Sequence, residues 1–248
     1  MTLLEKDKYY IHSYHADAKQ QASLSSLFCF LQESAWKHAE INDFGWARLK
    51  RSNCLWALSR MKVLIDAYPK WNDEIRLETW SKAPDALMAY RDFEIFDSMN
   101  KRILAASSAW LILDADSRRP QRMSMLQGEL PILEGREAPT STMRKLPTLS
   151  AKPETKTNIV PYSAIDMNGH VNNANYVRWT LDTFPSDFIL EHELNEIEVN
   201  YLHESHIGDS YQVNLKETAY CEYLSNIVRI DDGKELVRMS LKFTKTSV

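Results

Sequence analysis

Between Ile165 and Tyr176 the chain reads Ile-Asp-Met-Asn-Gly-His-Val-Asn-Asn-Ala-Asn-Tyr. Asp166, Asn168 and His170 set an acid, an amide and an imidazole at the start of a helical pattern. Histidine has an unperturbed pKa near 6.5, which suits it to moving protons near neutrality. Backbone N–H groups at a helix start, Gly169 and Val171 among them, are candidate donors to a developing oxyanion. Glycine at 169 also permits a positive φ or close approach of the backbone to a substrate. The plain alternative is that Asp166 or Asn168 is only an N-cap and His170 a surface residue. Further on, the strand pattern Glu196 to His203 breaks into Glu204-Ser205-His206-Ile207-Gly208-Asp209. Glu204 there is either a second acid for proton transfer or a solvated charge at a strand end.

These residues need elements to hold them. Leu24, Leu27, Phe28, Leu31, Ala35 and Ala39 fall at helical spacing, so a helix is expected over Ser23 to Glu40. Four strands are expected after it: Cys54 to Ile65, Glu74 to Ser81, Met88 to Phe96 and Arg102 to Leu113. The same order then recurs. A helix is expected from Val171 to Phe184, stopped by Pro185, then strands over Glu196 to His203, Tyr211 to Thr218, Tyr223 to Ile230 and Glu235 to Lys245. Trp71 to Leu77 aligns with Ile207 to Val213 at an offset of 136, which places Tyr68 opposite Glu204. One half is therefore expected to be catalytic and the other a binding shell. The expected organisation is an α+β chain with a first half over residues 1–135, a linker over 136–154 containing Pro139, Pro147 and Pro153, and a second half over 155–248.

Composition narrows the chemistry. The 248 residues hold 44% hydrophobic and 26% charged residues, the profile of a globular chain with a sizeable core. Six glycines, and neither a G-x-G-x-x-G nor a G-x-x-x-x-G-K-[ST] run, exclude the usual nucleotide cradles. A net charge of −4 gives no global basic field for nucleic acid or an anionic membrane, and no run of about 18 apolar residues suggests membrane insertion. Cys29, Cys54 and Cys221 are few and scattered, which points to reduced thiols in a cytoplasmic protein and away from a zinc site.

Several stretches together resemble one family. Phe30-Leu31-Gln32-Glu33-Ser34-Ala35-Trp36-Lys37-His38-Ala39, Leu55-Trp56-Ala57-Leu58-Ser59-Arg60-Met61, Tyr68 to Trp71 with Leu77 to Trp80, Ser117 to Arg122, and Asp166 to Tyr176 are similar, in order, to the plant-and-bacterial acyl-[acyl-carrier-protein] thioesterases. The resemblance implies a tandem (double) hot-dog, with two antiparallel sheets each wrapped around a long helix as a pseudo-dimer. It implies hydrolysis of fatty acyl thioesters without cofactor or metal, and a catalytic set of Asp166, Asn168, His170 and Glu204. The plant enzymes commonly carry cysteine after the glutamate; Ser205 stands there, so a cysteine mechanism is not expected. The plant transit peptide is not seen, which suits a bacterial-type cytosolic protein. An acidic acyl carrier protein is the expected partner, with Arg118, Arg119 and Arg122 as its candidate landing site or else a solvated turn. Phe28, Leu31 and Trp36 either line an acyl slot or simply pack the core. A hot-dog acyl-coenzyme A thioesterase and a non-catalytic acyl-binding sensor remain as alternatives. Composition does not decide whether the pseudo-dimer stands alone or two chains pair as a homodimer.

Overall fold

The computed structural model describes residues 1–126, 130–140, 142–149 and 156–246. The chain divides into two units, residues 1–22 with 29–143 and residues 23–28 with 144–248. In chain order the first half carries β1 (Glu5–Tyr10), α1 (Leu24–Ile41), α2 (Trp46–Arg51), β2 (Cys54–Ile65), β3 (Glu74–Lys82), β4 (Met88–Phe96), β5 (Arg102–Asp114) and a two-residue β6 (Pro120–Gln121). The second carries β7 (Thr157–Ile159), α3 (Asn173–Leu181), α4 (Ser186–Glu191), β8 (His192–Tyr201), β9 (Ser210–Ala219), β10 (Glu222–Arg229) and β11 (Glu235–Lys245).

The first unit's sheet runs β1-β3-β4-β5-β2 and the second unit's runs β7-β9-β10-β11-β8, with antiparallel pairing throughout. Each strand of one order has its counterpart in the other, as a tandem hot-dog requires. The second helix departs from expectation. It begins at Asn173, where the Asn172 side chain caps the Ala174 N–H, and it ends at Leu181. Pro185 then caps the separate α4 instead of stopping one long helix.

Alternation accounts for the inner faces. Ile75, Leu77 and Thr79 of β3 are buried, as are Val237, Met239, Leu241 and Phe243 of β11. Each fully buried leucine or isoleucine contributes about 1.5–3 kcal/mol. In the first unit Ala39, Phe44, Leu49, Cys54, Ile112 and Leu126 gather around the end of α1. Trp36 is exposed and donates to Glu40, so it does not pack the core, whereas Phe28 and Leu31 are buried.

The expected linker departs further. Ser141 and residues 150–154 lie outside the described residues, but the rest is a polar strap. In the first unit the Arg136 guanidinium covers the Trp80 ring at 4.1 Å and bonds Glu78 at 2.8 Å, while the Arg136 carbonyl accepts from Trp80 Nε1. Asp92, buried in β4, accepts from the Ala138 N–H at 2.9 Å, and Ser107 meets Thr140 at 2.7 Å. In the second unit the Leu146 N–H donates to Asn200 Oδ1, and Asn226 Nδ2 donates to the Leu149 carbonyl. A stretch poor in apolar residues reads as solvated, yet its partners are buried polar groups on the sheets.

His38 of α1 is buried between fixed partners: it accepts from Arg91 at Nδ1 (3.0 Å) and donates from Nε2 to the Thr2 carbonyl (2.7 Å). Burial, with the charge of Arg91 added, lowers its pKa to about 4. The unfolded chain then binds the proton more readily, so stability is full above about pH 6.5 and falls by about 3 kcal/mol as the pH drops toward 4. Thermal midpoints across that range are expected to fall more steeply for the wild type than for His38→Gln, which keeps a donor and an acceptor but has no proton to gain. Parallel curves would contradict the assignment.

Candidate active site

The loop before α3 is closed on itself. The Asp166 N–H donates to the His170 carbonyl (2.8 Å) and the Gly169 N–H to the Asp166 carbonyl (3.0 Å), while Ile165 and Val171 form a bridge. The Asp166 carboxylate accepts from the N–H groups of Asn168 (2.8 Å) and His170 (3.4 Å). Gly169 at the tip has φ +79°. A side chain there is strained by that positive φ alone, because its Cβ would meet only open space.

The loop between β8 and β9 docks on it. The Val171 N–H donates to the Ser205 carbonyl at 3.0 Å, and Glu204 Oε2 lies 3.5 Å from His170 Nε2. Both side chains are only partly exposed, at 16% and 33%, so their interaction is less screened than a surface pair. The structure thus joins His170 and Glu204 directly and ties Asp166 to the backbone of the same loop. Asn168 stands exposed at the tip. Two expectations are corrected: the N–H groups of Gly169 and Val171 are spent on the Asp166 and Ser205 carbonyls, so neither is an oxyanion donor. Ser205 is fully buried and gives its hydroxyl to Asp209 (2.9 Å). Arg118, Arg119 and Arg122 lie exposed, the first two in the turn between β5 and β6 and the third just after β6.

Four residues around the site escaped the sequence. Asp209 accepts from Ser205 Oγ, the His206 N–H and Arg229. Burial works against its ionisation, but these donors outweigh it and hold its carboxyl below the usual range. Arg229 also donates to the Glu204 carbonyl at 3.2 Å. Burial raises the Tyr176 phenol well above its usual pKa, so it stays neutral beside Asp209 and Glu204. His206 packs against His170, with ring centroids 5.0 Å apart. The aligned Asp73 and Asp209 were the one available signal among these.

The first unit contains the same loops without the chemistry. Asp17 accepts from the Lys19 N–H (2.8 Å), the Asp17 N–H donates to the Gln21 carbonyl (2.8 Å), and Gln20 takes the positive φ, +60°. The Ala22 N–H donates to the Pro69 carbonyl as Val171 does to Ser205. Asn168, Gly169, His170 and Glu204 are thereby matched by Lys19, Gln20, Gln21 and Tyr68. The scaffold is duplicated, and the imidazole–carboxylate pair belongs to the second unit.

Comparison with known proteins follows the same division. The family model of the acyl-ACP thioesterase N-terminal domain matches residues 3–125, and that of the C-terminal domain matches 149–245. The chloroplastic oleoyl-acyl carrier protein thioesterase 1 of Arabidopsis thaliana is 28% identical over 82% of this chain and 61% of its own length. The chloroplastic palmitoyl-acyl carrier protein thioesterase of Gossypium hirsutum is 28% identical over 95% of this chain and 62% of its own. The chain thus spans about three fifths of these curated relatives. An acyl-ACP thioesterase from Bacteroides thetaiotaomicron superposes with a TM-score of 0.88 at 25% identity, covering 97% of this chain and 98% of that one. The 12:0-ACP thioesterase from Umbellularia californica shares the fold, with a TM-score of 0.89 at 20% identity over 99% of each chain. With a family model matched to each half, the chain belongs to the acyl-ACP thioesterase family.

Proposed function

We propose that this chain hydrolyses the thioester of a fatty acyl group held on an acyl carrier protein, releasing free fatty acid and carrier thiol and so ending chain elongation. The observation that carries the reading is the His170–Glu204 pair, 3.5 Å apart, on a scaffold whose first-unit copy has Gln21 and Tyr68 instead. The names of the relatives support the substrate class.

Glu204 and His170 together take a proton from water as its oxygen adds to the thioester carbonyl carbon. The charge that grows on the carbonyl oxygen is met by the Asn168 side-chain amide, because the loop N–H groups are already bonded within the protein. The C–S bond then breaks, the proton passes to the departing sulfur, and a carboxylic acid and a thiol leave. Asp166 orients the loop and does not attack. Its carboxylate already accepts two backbone N–H groups, and Asp17 makes the first of these bonds in the unit without the catalytic pair.

Three cysteines outside any disulfide among the described residues suit a reducing, cytoplasmic setting. No described helix is long and apolar enough to cross a membrane. Arg118, Arg119 and Arg122 form the landing site for the acidic carrier. Reversing all three to glutamate is expected to raise KM for a carrier-bound acyl thioester about tenfold and leave a small acyl thioester unaffected. An equal rise for both substrates removes the carrier from the proposal.

A further inference from the structure

We infer that Arg229 is a positioning residue whose guanidinium sets Glu204 against His170; this rests on the thioesterase reading above. Glu204 lies in the loop between β8 and β9, and its carboxylate stays near His170 only if the loop backbone is fixed. Arg229, the last residue of β10, reaches across and donates from Nη1 to the Glu204 carbonyl (3.2 Å) and to Asp209 Oδ2 (3.2 Å). Its other edge is clamped by Asp232, with Nε to Oδ1 at 3.0 Å and Nη2 to Oδ2 at 2.8 Å. Asp209 passes the restraint on, because the Ser205 hydroxyl and the His206 N–H both end on it. The arginine side chain is only 16% exposed, so these charge-assisted bonds are largely sheltered from water.

The first unit separates what the fold needs from what the site needs. Its matching loop keeps the aspartate and the backbone bond: the Lys70 N–H donates to Asp73 Oδ2 at 2.8 Å, as the His206 N–H does to Asp209 at 2.9 Å. Pro69 stands in place of Ser205 and has no hydroxyl. Strand register puts Asp97 in place of Arg229, since Gln212 pairs with Val228 where Arg76 pairs with Phe96. A carboxylate cannot donate to the loop, and Asp97 accepts the N–H groups of Met99 and Lys101 in its own turn. Tyr68 replaces Glu204. The turn therefore closes without the arginine, and the arginine occurs with the glutamate whose backbone carbonyl it holds.

The test uses the full chain with Arg229→Met, Arg229→Lys and Asp232→Asn, the last keeping the arginine and weakening its clamp. Arg229→Met is expected to lower kcat on a carrier-bound acyl thioester about 10²-fold with KM nearly unchanged, the cost of a catalytic group displaced by about 1 Å. Arg229→Lys recovers part of that loss, and Asp232→Asn loses less than Arg229→Met. Amide exchange at residues 204–209 should speed up about tenfold in Arg229→Met while the amides of β9 and β10 keep their protection. A kcat within twofold of wild type, a change in KM alone, or exchange rising across the whole sheet would overturn the inference. If the wild type releases no thiol, the thioesterase reading fails, and the exchange measurement still decides whether Arg229 holds the loop.

Discussion

Glu204→Gln and His170→Ala are each expected to lower kcat for acyl thioester hydrolysis by about 10²–10⁴-fold, the range that positioned proton transfer supplies. The two groups touch, so they act as one unit and the double variant should cost little more than the worse single one. Glu204→Gln preserves the shape of the side chain and removes its ability to take a proton. KM should therefore change little while kcat collapses. Asp166→Asn is expected to cost less, because an amide oxygen still accepts from the Asn168 N–H at the same place. A single turnover in heavy-oxygen water separates the mechanisms: label in the released fatty acid and none in Asp166 or Glu204 fits water attack, and label in either carboxylate means an anhydride had formed. Wild-type rates in both Glu204→Gln and His170→Ala would remove the assignment.

Asp92→Ala is expected to destabilise the protein by about 3–5 kcal/mol, the cost of removing one partner from a buried charge network. Asp92 is 1% exposed and meets three groups: Ser107 Oγ at 2.6 Å, the Ala138 N–H at 2.9 Å and Lys82 Nζ at 3.4 Å. Removing it takes the acceptor from the strap's backbone and the nearer and more buried of two counter-charges, the other being Glu137 at 3.7 Å, from a lysine whose side chain is only 18% exposed. Asp92→Asn keeps an acceptor and loses the charge, so about 1–2 kcal/mol is expected. Urea unfolding should show the midpoint falling with its slope unchanged. Limited proteolysis should cut Asp92→Ala between residues 130 and 149 before the strands. Equal midpoints for Asp92→Ala and wild type would show that the strap is not anchored there.

How far the sequence reaches depends on where the forces are local. β2, β4 and β11 begin and end where their apolar and β-branched patterns do, because each strand's face is written in its own residues. β1 carries no strand signal: Glu-Lys-Asp-Lys-Tyr-Tyr has no apolar alternation, and Asp7 is buried against Lys37 of α1. The sequence pattern sets the start of α3 two residues too early, since it shows several amides before Asn173 and only the fold selects Asn172 as the cap. His170 is legible from its imidazole at the start of a helical pattern, and Glu204 because an offset of 136 between the duplicated halves sets it opposite Tyr68. Arg229 is not, because its grip on Glu204 depends on how β10 ends beside a distant loop. The fate of the Gly169 and Val171 N–H groups was hidden for the same reason, since the acceptor of the second lies on the loop after β8.

Thiol release by the wild-type chain, measured with acyl carrier protein thioesters of several chain lengths beside the matching coenzyme A thioesters, decides whether the His170–Glu204 site hydrolyses acyl thioesters. The proposal predicts release of thiol and free fatty acid from both, with the higher kcat/KM on the carrier-bound substrates. Faster turnover of the coenzyme A thioesters would assign the site to a different acyl carrier, and no thiol from any of them would contradict hydrolysis and leave an acyl-binding protein.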